Sequence, residues 1–198
     1  MATYYFEGEK ILAPLTISSN EPMYDVDTIS LKKQRASQGA QRWELSFNIV
    51  SEDPTNLLVN TISGFDSTNT MIMPQLNKIE NNLTVSGTLS VSSATAGTNS
   101  VVISKVGVSG IIPKGYFIKF SNHNKIYMVL NELDFEGTGT LTCNFYPSLT
   151  EDLTGSETVA TGDDVTITYY RDISDLKGIT YTDGVLSDIG TINIIEAL

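Results

Sequence analysis

From Gln41 to Val50 the chain reads QRWELSFNIV, and its apolar side chains alternate without a break. Trp43, Leu45, Phe47 and Ile49 fall on one face of an extended strand, with Arg42, Glu44, Ser46 and Asn48 on the other. A period of two sustained over this length does not fit a helix and demands a sheet with one face against a core. Trp43, Leu45 and Phe47 therefore mark that core, and the indole N–H of Trp43 needs an acceptor within it. The core leaves Gln41, Arg42 and Glu44 unexplained. They are expected to stay exposed, just after a basic stretch formed by Lys32, Lys33 and Arg35.

The same texture runs through most of the sequence. Short apolar runs are separated by turn signals at intervals of about 8 to 12 residues, the spacing of β-sandwiches and barrels. Alternating Leu83, Val85, Leu89 and Val91 lie in a Ser/Thr/Gly-rich stretch, which suits a projecting hairpin or the opening of a second β unit. Ile126, Met128 and Leu130 alternate again further on. One short helix is expected over residues 54–63, with Asp53 as cap, Pro54 in the first turn and Gly64 as stop. The reading is a mainly β protein of antiparallel barrel or sandwich units. Residues 1–77 would form a β-barrel domain, 78–172 a second β unit, and 173–198 an acidic C-terminal extension.

Charge is unevenly spread. Residues 131–198 hold Arg171 and Lys177 against thirteen acids, which accounts for the whole net charge of −11. A duplex-binding surface is disfavoured, because phosphate contacts need clustered cations. The acidity suits solubility, a basic partner, or a wall that repels nucleic acid. No apolar stretch approaches the roughly 20 residues of a membrane helix, and no secretory leader is read at the N-terminus.

The search for catalysis yields no constellation. His123 sits in the turn SNHNK without a second ligand at metal spacing, and reads as a solvated turn residue. Cys143 occupies a strand position suited to a small buried hydrophobe. The carboxylate pairs Glu151/Asp152 and Asp163/Asp164 fall in loops beside Gly155 and Gly162, where a solvated surface explains them. No cofactor, no metal and no enzyme are expected.

Two stretches together resemble a known family. KKQRASQGAQRWELSFNI is similar to the Arg…Gly-Gly-Gln-Arg-Trp-Glu strand near the start of the distal tail or baseplate-hub proteins of tailed bacteriophages. AGTNSVVISKVGVSGIIPKGYFIKFSNHNKIYMVLNELDFEGTGTLTCNFYPSL is similar to their later segment, a Gly-Asp strand, a Lys-Val-Tyr strand and a Pro-Leu strand in that order. Ala40 replaces the second glycine, and Tyr116 stands where aspartate is frequent.

The resemblance implies a structural virion protein of the tail, assembled in the host cytoplasm. Such subunits form a ring, usually of six, at the distal end of the tail tube. The ring joins the tube protein to baseplate hub proteins, with DNA only as passing cargo and no membrane insertion. On that reading Lys32, Lys33, Arg35, Gln41, Arg42 and Glu44 are expected at a subunit interface. Glu151, Asp152, Asp163 and Asp164 are expected to face the channel or an acidic partner surface. Other readings are a tail tube or other tail-assembly subunit, a capsid-surface protein, or a carbohydrate- or receptor-binding module using Tyr169, Tyr170 and Tyr181.

Overall fold

The structure, a computed structural model, describes residues 4–27, 33–37, 39–51, 68–75, 85–172, 180–182 and 186–198. The helix expected over 54–63 lies outside the described residues. The chain is mainly β, with antiparallel sheets throughout.

The first sheet runs in the order β1 (Tyr5–Phe6), β2 (Glu9–Asn20), β5 (Arg42–Ser51), β16 (Leu186–Glu196), β14 (Thr166–Arg171), β6 (Asn69–Ile72), with β15 (Thr180–Thr182) also on β16. β5 is central, flanked by β2 and β16, and its strict alternation follows from having one face in the core and one outside. Trp43, Leu45, Phe47 and Ile49 are all buried, as their period requires. They pack with Phe6, Met71, Ile167, Tyr169, Ile192 and Ile194. The long β16 slips register between Asp188 and Thr191, where Gly190 has a φ of 75°. Glycine tolerates that turn of the backbone without strain, so one strand can pair with β15 early and β14 late.

β14 belongs to the first sheet rather than to a second unit, and β16 is an interior strand rather than part of an acidic extension. Its alternating Ile192 and Ile194 face the core, and its last residue, Glu196, is buried. The polar content of the segment hid a period of two.

The second unit is built on the order β13 (Val159–Thr161), β9 (Phe117–Phe120), β10 (Ile126–Val129), β12 (Thr140–Tyr146), β7 (Ser100–Ser104). Residues 89–92 close it: Ser90 bridges to Thr158 and Val91 to Ile103, joining the two edges. The stretch from Val85 onward therefore opens this barrel and does not project as a hairpin. Leu89 and Val91 are in its core. A small ladder of β8 (Ile111–Ile112) and β11 (Leu133–Asp134) completes it.

β9 and β10 form a wall shared by both cores. Ile118, Phe120, Tyr127 and Val129 face the second core, while Phe117 and Ile126 are buried in the first, with Met128 packed against it. Both faces of these strands are largely covered, so IYMV reads as a continuous apolar run and FIKF is interrupted only by the partly buried Lys119. The expected alternation of Ile126, Met128 and Leu130 is corrected accordingly: Leu130 is half exposed, just past the end of β10.

Candidate functional site

Two surfaces and one buried seam hold the chemistry of the molecule. The seam lies where the first sheet meets the shared wall. Lys125 Nζ donates to Glu196 Oε2 at 2.5 Å and to the Gln41 carbonyl at 2.7 Å, with both side chains out of solvent. Glu196 also accepts the N–H of Trp43 (2.9 Å) and of Ile126 (2.9 Å). One carboxylate thus binds a strand of each unit. Burial pushes the Lys125 ammonium below its ordinary pKa, while Glu196 pushes it back up. The indole N–H of Trp43 finds its acceptor in the Ile126 carbonyl, at 2.9 Å. Gln75 is a second clamp: its Oε1 accepts the Phe117 N–H at 2.8 Å and its Nε2 donates to Gly162 O at 3.2 Å.

Inside the first core, Arg171 donates to Glu7, and its guanidinium lies 5.1 Å from the centre of the Phe6 ring. Arg171 is buried. It therefore offsets no surface acidity, contrary to its place in the charge count.

The first surface is a ribbon. β3 (Met23–Asp27) and β4 (Lys33–Ser37) form a two-stranded sheet of their own, with Met23 opposite Ser37 and Asp27 opposite Lys33. They follow directly on β2 and precede β5, continuing that pair beyond the sheet. Every residue of β3 is exposed, Met23, Tyr24 and Val26 by more than half. Lys33 Nζ lies 3.5 Å from Asp25, and Arg35 stands opposite Asp25 in the register. Lys32 lies outside the described residues.

Gln41, Arg42 and Glu44 separate. Gln41 is buried, a correction to its expected exposure: its amide donates to Ser19 Oγ at 2.9 Å and its carbonyl receives Lys125. Ser19 in turn bonds Tyr146 Oη, which donates to Glu21. Arg42 and Glu44 are on the outer face of the first sheet, paired at 3.3 Å, with Asn20 donating to Glu44 at 2.8 Å. Much of the rest of that face is small and neutral: Thr16, Ser18, Ser46, Asn48, Thr191 and Asn193.

The second surface is an open groove of about 520 Å³ beside the β9–β10 turn, lined by Lys119, Ser121, His123, Glu151, Thr158 and Asp164 among others. Two of the four expected acids therefore share one groove. Asp152 sits beside it and accepts the Ala96 N–H at 2.7 Å, and Asp163 is exposed in the following short turn. Lys119 Nζ is tied to Thr166 O at 3.1 Å. His123 is not simply solvated, since it is half-buried with Nε2 2.8 Å from Tyr127 Oη. Desolvation holds its pKa below the usual histidine value, against the pull of Glu151. Cys143 is buried, and burial raises its thiol pKa to about 12. Such a thiol carries almost no thiolate at neutral pH.

Of the aromatic trio, Tyr169 is buried in the first core, correcting its place on a binding face, and Tyr170 is partly exposed. Tyr181 lies on β15. Among the described residues no group of three His, Cys, Asp or Glu could hold a metal ion. None of their helices is long and apolar enough to cross a membrane.

Sequence reasoning missed Lys125, Glu196 and Gln75, whose partners are far away along the chain. It also passed over Met23, Tyr24 and Val26, although the alternation of Tyr24 and Val26 with acids was readable.

The two units joined across a shared wall, with polar groups spent on the joint and a ribbon held out in solvent, define a β-structured building block. Residues 81–163, which take in the second barrel, match the family model described as Distal tail protein pb9, B domain. The match bears out the resemblance to the phage distal tail family over these residues and supports a structural role in a bacteriophage tail. No curated protein matches the chain.

Proposed function

We propose that this chain is a ring-forming subunit at the distal end of a phage tail tube, six copies to a ring, joining the tube protein to hub proteins of the tail tip. The observation that carries the reading is the distal tail domain matched over residues 81–163. Two structural features support it. The exposed β3–β4 ribbon offers each copy something to extend onto a neighbour. The outer face of the first sheet bears Ser, Thr and Asn, with Arg42 neutralised by Glu44. Such a face gives phosphates little to adhere to, because adhesion depends on cations that displace counterions. It therefore suits a surface along which DNA passes, and the exposed acids would add repulsion wherever they face the lumen.

The test is electron microscopy of the purified protein and of virions labelled with an antibody against it. Six-fold rings and a label confined to the tail tip are expected. A label along the tube or on the capsid, or particles without rotational symmetry, would overturn the reading.

A further inference from the structure

We propose that the β3–β4 ribbon is a hinged arm, latched by Tyr146 of the second barrel. Hinge and latch lie within one copy, so neither depends on ring formation.

The hinge is a break in the ladder. β2 and β5 last pair at Asn20 and Arg42, and pairing resumes on the ribbon at Met23 and Ser37. Glu21 and Pro22 on one foot therefore face residues 38–41 on the other, and the register shifts by two. Proline has no N–H to give a ladder, and Gly39 has a φ of 74°, which glycine adopts without strain. Hinges are built from a few such residues at the ends of elements. Beyond the break, Lys33 lies 3.5 Å from Asp25 and five residue pairs hold β3 to β4, so the ribbon turns as one body. β3 is exposed along its whole length, so the ribbon's direction is decided at its feet.

The second barrel grips both feet. Tyr146, the last residue of β12, donates its hydroxyl to Glu21 Oε2 at 2.7 Å and accepts from Ser19 Oγ at 3.0 Å. Ser19 accepts from the Gln41 amide at 2.9 Å, and the Gln41 carbonyl accepts from Lys125 Nζ at 2.7 Å. The donors thus run from Gln41 through Ser19 and Tyr146 to Glu21, joining one foot to the other by way of a residue of the second unit. Lys125 is buried and held by Glu196, which makes the Gln41 foot the firm one. The Glu21 foot is the releasable one, because Tyr146 and Glu21 are only partly buried and water can replace their bond. A pull on the end of β12 that draws Tyr146 from Glu21 frees that foot while the other stays anchored, and the ribbon swings. What happens at the second barrel is thereby passed to the ribbon.

The test uses the full chain with nitroxide labels on Val26→Cys in the ribbon and Val106→Cys on the second barrel. Both positions are exposed, and Cys143 is buried and stays unlabelled. Labelled protein is diluted in unlabelled protein, so double electron–electron resonance reads distances within one chain. One narrow distance is expected. Tyr146→Phe keeps the ring beside Trp43, 6.2 Å between centres, and loses only the hydroxyl. It is expected to broaden the distribution about twofold or more and to speed amide exchange in β3 about tenfold. Glu21→Ala is expected to do the same, whereas Glu21→Gln keeps an acceptor and stays near the native width. A control pair on the second barrel, Val106→Cys with Leu130→Cys, is expected to stay narrow in every variant.

A broad distribution in the native chain, or an unchanged width in Tyr146→Phe or Glu21→Ala, overturns the latch. So does broadening of the control pair, since the hydroxyl would then support the barrel itself and not the arm.

Discussion

Replacing Glu196 with Gln probes the joint between the units. The carboxylate now serves three donors: Lys125 at 2.5 Å and the N–H groups of Trp43 and Ile126 at 2.9 Å each. A glutamine offers one carbonyl oxygen and turns an NH₂ towards the remaining donors. One buried N–H loses its acceptor, which costs about 1–3 kcal/mol. Lys125 is left as a buried cation without its counter-charge, and breaking a buried pair from one side costs about 3–5 kcal/mol in all. Urea unfolding followed by tryptophan fluorescence should show that loss, and melting should fall by roughly 10 °C. The loss should also depend on pH. Without Glu196 the folded-state pKa of Lys125 drops further below its unfolded value, so the unfolded chain binds more protons wherever the pH lies between the two. Stability of the variant should therefore climb, relative to the native chain, as pH rises towards about 10. Adding Lys125→Met should recover most of the loss and flatten the pH dependence. A variant within about 1 kcal/mol of the native chain at pH 7 would refute the reasoning, since a solvated pair is worth no more than that.

Other outcomes follow from single contacts. Trp43→Phe removes the donor to Ile126 O and some core volume, and should cost about 1–3 kcal/mol in urea unfolding followed by circular dichroism. At Gly87, with φ +98°, an added Cβ would stand 2.1 Å from the Gly107 carbonyl oxygen, whereas at Gly97 it would meet nothing within 4 Å. Gly87→Ala should therefore destabilise by about 2 kcal/mol or more, and Gly97→Ala by only about 1 kcal/mol from its backbone conformation. Glu157 accepts the Thr154 N–H and hydroxyl and the Gly155 N–H, which hold its carboxyl at about 2. Because that value is depressed, its contribution is present above the ordinary carboxylate range and is lost as pH falls towards about 2, and a carboxyl-carbon NMR titration should show the late midpoint. Cys143 should resist thiol reagents at neutral pH in the folded chain and react once urea unfolds it.

What could be read from the sequence depended on how each strand is covered. β5 has one face in the core and one outside, so its period was plain, and the need of Trp43 for an acceptor could be stated before the acceptor was known. β9 and β10 are covered on both faces, so their residues show no alternation that assigns each side to a core. β16 mixes Ser, Thr, Asp and Asn among its isoleucines, and composition concealed an interior strand. Lys125 and Glu196 lie 71 residues apart, and each alone resembles a surface charge. Only the fold makes them a pair. The same holds for Gln41, which sits beside the exposed Arg42 in sequence yet turns inward to Ser19 and Lys125.

The place of β16 also bears on the order of events during synthesis. The second barrel closes from residues between Val85 and Thr161, a continuous stretch of chain. The first sheet cannot set β5 between its two neighbours until residues 186–196 have emerged. On the ribosome the later-starting unit therefore finishes first, and the earlier strands wait with Trp43, Leu45 and Phe47 uncovered. Exposed strands of this kind are aggregation-prone, so truncation ahead of β16 should leave a folded distal tail domain attached to an unfinished, adhesive sheet.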